Sequence, residues 1–69
     1  KLSFKEQKEF DDLEKEMAKL EAEKEALIKQ LNGGSEDFQR LADWAKSIES
    51  IKNTLEEKEL RWLELSERA

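Results

Sequence analysis

The chain has 69 residues, 45% of them charged, and contains no Pro, Cys, His or Tyr. A chain this short forms at most one domain with a thin core, and the missing residue types exclude disulfides, thiolate metal sites and histidine acid–base chemistry. Thirteen basic and 18 acidic side chains give a net charge of −5, opposite in sign to most nucleic-acid-binding domains. We therefore expect no catalytic residues, no metal site and no cofactor site in this chain.

The chain lacks an initiator Met, so we expect it to be a fragment of a larger protein. Its first residues also show no signal-peptide pattern. No segment approaches the roughly 20 apolar residues of a membrane span, so we expect no membrane contact.

The first predicted element is a long helix. Ser3 and Glu6 have the S-x-x-E spacing of a capping box. Apolar residues then follow at heptad a and d spacing, interrupted once by Lys24. They are Phe10, Leu13, Met17, Leu20, Leu27 and Leu31. This pattern predicts a helix over about residues 4–31, and its regular repeat excludes a disordered chain.

The second predicted element is a turn over residues 32–35. Two adjacent glycines, Gly33 and Gly34, are unfavourable inside a helix, but one of them can adopt the positive φ that ends it. Ser35 is then expected to be the N-cap of the next helix, with Glu36 and Asp37 in its first turn.

The third predicted element is a helix over about residues 36–67, whose apolar repeat is interrupted once by Lys58. The repeat consists of Leu41, Trp44, Ile48, Ile51, Leu55, Trp62 and Leu65. Two such helices joined by a short turn predict an all-α fold, a two-helix antiparallel coiled-coil hairpin formed by a single domain over residues 1–69. Facing residues should have numbers that sum to about 69. The open end is expected to gather Leu2, Phe4, Trp62 and Leu65.

Five lysines share one face of the first helix, in a stripe about 80° wide and roughly 130° from the apolar repeat at 100° per residue. We call Lys1, Lys5, Lys8, Lys15 and Lys19 the lysine stripe. Such a stripe could bind phosphates, with Arg61 and Arg68 near the same open end. The alternative interpretation is an ordinary salt-bridged helix surface, because Asp12 and Glu16 lie beside the stripe.

Both ends of the chain carry motifs of a known family. The opening Lys1-Leu2-Ser3-Phe4-Lys5-Glu6-Gln7-Lys8-Glu9-Phe10 resembles the start of the C-terminal coiled-coil domain of ABC-F ATPases of the Uup type, with Phe10 replacing the commoner Leu. The segment Glu59-Leu60-Arg61-Trp62-Leu63-Glu64-Leu65 resembles the terminal R-W-x-E-L motif of that domain.

This resemblance implies a cytoplasmic parent ATPase with two ATP-binding cassettes, for which this hairpin is a non-catalytic C-terminal domain. ATP would bind the cassettes and not this chain. The resemblance also implies DNA binding, and the net charge of −5 predicts that this binding is weak. Two alternatives remain, namely a structural module that docks on its own cassettes or on a second copy in a homodimer, and an arm that contacts ribosomal RNA or tRNA.

Overall fold

Two α-helices form almost the whole molecule. The computed structural model describes residues 1–69, with α1 at Phe4–Gly33 and α2 at Phe38–Arg68. The helices are antiparallel, since the backbone nitrogen of Lys1 donates to the carbonyl oxygen of Arg68 at 2.6 Å. The resulting rod measures 52 × 15 × 14 Å. The predicted all-α helical hairpin is confirmed.

The start of α1 is a complete capping box. The hydroxyl oxygen of Ser3 accepts from the backbone N–H of Glu6 at 3.2 Å, and the Glu6 carboxylate accepts from the backbone N–H of Ser3 at 3.2 Å. Two donors that the first turn would leave without partners are thereby satisfied, as the S-x-x-E spacing predicts.

The turn lies two residues later than expected. Gly33 remains helical, and only Gly34 adopts a positive φ, of 78°, while its N–H donates to the carbonyl oxygen of Leu31 at 3.1 Å. One glycine is enough to end the helix, so the other stays in α1.

The N-cap of α2 is Asp37, which corrects the expected Ser35. The Asp37 carboxylate accepts from the backbone N–H groups of Gln39 at 3.0 Å and Arg40 at 3.3 Å. Ser35 instead accepts from the backbone N–H of Asp37 at 3.1 Å, within the turn. A carboxylate with two donors satisfies more of the helix start than one hydroxyl would.

The core is as thin as the chain length predicts. Every apolar residue of the two heptad repeats is buried or half-buried, but only Leu13, Leu55 and Leu65 are fully buried, with exposed fractions of 7%, 7% and 0%. All three lie in the half of the hairpin next to its open end.

The facing residues are offset slightly from the expected register. Glu9 contacts Arg61 and Phe10 contacts Trp62, so these facing numbers sum to 70 and 72 instead of about 69. The ion pair between Lys58 and Glu16 sums to 74. All three offsets have the direction that the later turn predicts.

The aromatic packing at the open end differs from the expected cluster. Phe10 stacks on Trp62 with ring centroids 5.5 Å apart and an interplanar angle of 19°. Phe4 does not join this cluster and is 88% exposed. Nine residues separate Phe4 from Leu13, which at 100° per residue places Phe4 on the opposite side of α1 from the core.

Neither α1 nor α2 contains a stretch apolar enough to cross a membrane. No group of three or more His, Cys, Asp or Glu side chains is arranged to bind a metal ion.

Candidate nucleic-acid interface

The lysine stripe lies on the exposed surface of α1 and of the residues just before it. Lys5, Lys8, Lys15 and Lys19 are all helical and exposed, and Lys1 is exposed ahead of the N-cap. The helix repeat places the side chains of the four helical lysines on a different face from the apolar core, as the sequence predicts.

Most lysines of the stripe have no acidic partner. Only Lys8 forms a salt bridge, with Asp12 at 3.0 Å. The ammonium groups of Lys1, Lys5, Lys15 and Lys19 have no carboxylate oxygen within 4.0 Å. The salt-bridged interpretation therefore describes Lys8, whereas the other four lysines can bind a phosphate without breaking an existing ion pair.

Arg61 points into the hairpin and not toward the stripe. Its Nε donates to Oε2 of Glu9 at 2.8 Å, its Nη2 donates to Oε1 of Glu9 at 2.9 Å, and its Nη1 donates to Glu64 at 3.0 Å. These hydrogen bonds lower the pKa of Glu9 and raise the pKa of Arg61 above its ordinary value. A phosphate at Arg61 would compete with the Glu9 and Glu64 carboxylates for the guanidinium group.

Arg68 is also bound within the hairpin, by the carboxylate of Glu6. The pKa of Glu6 is lowered, first by the hydrogen bond from the Ser3 backbone and then by the Ser3 hydroxyl and Arg68. The structure thus places Arg61 and Arg68 in cross-helix ion pairs, whereas Lys1, Lys5, Lys15 and Lys19 have no carboxylate partner.

One basic residue near the stripe was expected from the sequence only as an interruption of the apolar repeat and not as a candidate phosphate contact. Lys58 of α2 lies beside Lys5 and Lys8 along a shallow groove between the helices, and its Nζ donates to Glu16 at 3.0 Å. The sequence feature that marks Lys58 is its place in a heptad core position. The methylene groups of such a lysine are covered by the hairpin, while its ammonium group reaches solvent.

Phe4 lies at the edge of the stripe. It lines a shallow surface depression on α1 together with two lysines of the stripe, Gln7 and two aspartates. The amide nitrogen of Gln7 donates to Asp11 at 3.1 Å, so this part of the surface is ordered by local hydrogen bonds.

The residues present do not fit ATP. Glycines that bind phosphate normally lead into the N-terminus of a helix, where backbone N–H groups face the anion. Gly33 and Gly34 lie instead at the C-terminus of α1, and no Lys-Ser/Thr pair follows them. No step of nucleotide chemistry is assigned to these residues.

Comparison with protein families gives one match, to the ABC transporter C-terminal domain, over residues 1–67. Searches of curated proteins and of solved structures found no match. The family match spans both end motifs and both helices. This chain therefore belongs to the ABC transporter C-terminal domain family.

Proposed function

We propose that this hairpin is the non-catalytic C-terminal domain of a cytoplasmic ABC-F ATPase of the Uup type, and that it contacts DNA through the lysine stripe. Membership in the family supports an accessory domain of an ABC protein. The end motifs support the Uup type, in which ATP binds to the cassettes of the parent protein.

The observation that carries this proposal is the set of unpaired lysines on one face of α1. The unpaired ammonium groups of Lys5, Lys15 and Lys19 share a face of α1 that the core does not use, and Lys1 is exposed and unpaired just before α1. The chain is negative overall, and Asp12 and Glu16 beside the stripe repel phosphate, so we expect weak binding, with a Kd of about 10⁻⁴–10⁻⁶ M or weaker. No set of side chains is arranged to read base edges, so sequence preference should be small.

The test is a titration of labelled duplex DNA at two salt concentrations. Three or four phosphate contacts predict a log–log salt slope of about −3, which weakens binding by several tens of fold between about 50 and about 200 mM salt. Lys5→Glu/Lys15→Glu should abolish binding and leave the helical circular dichroism spectrum unchanged.

The matched control is Lys46→Glu/Lys52→Glu, which changes the net charge equally but on α2. Both of its lysines are exposed and unpaired. Equal loss of binding in the two variants, or no binding by the wild type at low salt, would contradict the proposal. Structured RNA in place of duplex DNA tests the RNA-contacting alternative.

A second candidate function is docking on the ATP-binding cassettes of the parent protein. Leu60 and Leu63 are 64% and 47% exposed on α2 and line one depression with Glu56 and Glu59. This surface would be complementary to a region of the cassette that is apolar and flanked by basic side chains. Leu60→Ser/Leu63→Ser should then weaken association with a separately produced cassette. If sedimentation instead shows a wild-type homodimer that the variant loses, the occupant is a second copy.

A further inference from the structure

We propose that Phe4 stacks on an unpaired base, so that the hairpin prefers single-stranded nucleic acid to duplex. This inference rests on the proposed function, because lysines of the stripe would bind the phosphates on either side of that base. It adds a ligand feature, an unstacked base, that the lysine stripe alone does not select.

The position of Phe4 is fixed although its ring is exposed. It is the first residue of α1, directly after the Ser3 N-cap, and the capping box orders the backbone on both sides of it. The ring is 88% exposed on the side of the helix away from Leu13, so packing within this hairpin does not explain it. An ordered, exposed aromatic ring can stack on a base without loss of core contacts.

The charges around Phe4 favour a base over a phosphate. The depression beside the ring contains Lys8 and Lys15 but also Asp11 and Asp12, so its formal charges cancel. Phosphates should therefore lie at its margin, near the unpaired ammonium groups of Lys5 and Lys15, while an uncharged base occupies the space over the ring.

The preference for single strands follows from access to the base. Bases within a duplex are stacked on one another, and their faces cannot reach a side chain on a helix surface. Base–aromatic stacking contributes about 1–3 kcal/mol per base, and every base has a face to stack. We therefore expect little dependence on base identity and a clear dependence on strandedness.

The experiment compares three labelled probes of about 12 nucleotides by fluorescence anisotropy at low salt, namely single-stranded DNA, single-stranded RNA and duplex DNA. Phe4→Ala should weaken binding of the single strands roughly 5- to 140-fold, and leave duplex binding and the salt slope unchanged. Phe4→Trp should retain the preference. Tighter binding of one of the two single strands shows whether the base that stacks on Phe4 belongs to DNA or to RNA.

The control is Phe38→Ala. Phe38 is 85% exposed and is likewise the first residue of a helix, but it lies at the other end of the hairpin. Its loss should change no affinity. The inference is overturned if wild type binds single strands no more tightly than duplex, or if Phe4→Ala weakens both equally. Binding to duplex with the lysine dependence described above would still support the proposed function, whereas binding to no probe would contradict both.

Discussion

Arg61 binds both carboxylate oxygens of Glu9 across the two helices, at 2.8 and 2.9 Å. This two-point contact requires the guanidinium plane to face the carboxylate, so it specifies the rotation of α2 as well as its distance from α1. Trp62, the next residue, stacks on Phe10, the residue after Glu9. The two end motifs of the chain therefore form a single contact at the open end of the hairpin.

The Glu9–Arg61 pair should make stability depend on pH. Because the pKa of Glu9 is lowered from its ordinary value of 4.5, the stabilisation is fully present above that pH and is lost as the pH falls through the lowered pKa. The melting temperature of the wild type should fall between about pH 7 and about pH 3. Glu9→Gln should melt lower at neutral pH and show a smaller fall.

Thermal melts followed by circular dichroism measure this effect. Glu49→Gln is the control, since Glu49 is exposed and forms no salt bridge. If Glu9→Gln and wild type lose equal stability on acidification, the ion pair does not contribute.

Leu65 should be among the most costly apolar side chains to truncate. It has no exposed surface, so Leu65→Ala should reduce the free energy of unfolding by about 2–4 kcal/mol through lost burial and a residual cavity. Leu60→Ala, at a position 64% exposed, should change it by less than about 0.5 kcal/mol. Urea denaturation measures both. Similar losses in the two variants would contradict the observed rotation of α2.

The two glycines should respond oppositely to alanine. Gly33 is helical and a Cβ there meets nothing within 4 Å, so Gly33→Ala should stabilise the chain by about 0.4–1 kcal/mol. Gly34 has a φ of 78°, which alanine rarely adopts, so Gly34→Ala should destabilise it by about 1 kcal/mol or more. Urea denaturation of the two variants measures both changes in the free energy of unfolding. Stabilisation by both substitutions would show that the turn has another conformation.

The heptad repeat was sufficient to predict the hairpin and its core positions, because burial follows directly from the helical period. The repeat could not predict the exact residues of the turn. Either glycine can take the positive φ that ends α1, so the sequence does not specify where α1 ends. The N-cap of α2 shifts with that end, from the expected Ser35 to Asp37. Phe4 is close to the open end in sequence, but its angle around α1 points it away from the core, so the expected contact with Trp62 does not form.

The lysine stripe was likewise predictable from angles along one helix. Which basic groups have carboxylate partners was not, since Arg61 and Lys58 meet residues more than 40 positions away. A register error of one turn changes every such pair. Long-range ion pairs therefore required the three-dimensional arrangement of both helices.

The cross-helix ion pairs have a consequence for how the hairpin opens. Three cross-helix ion pairs lie toward the open end, where the buried leucines also lie, and none lies toward the turn. The pairs are Arg68 with Glu6, Arg61 with Glu9 and Lys58 with Glu16. Amide hydrogen exchange inside each helix should accordingly be faster in the half beside the turn than in the half that contains the buried leucines. The turn end of the hairpin would then bend more easily than the open end, where the start of α1 and the end of α2 stay packed together.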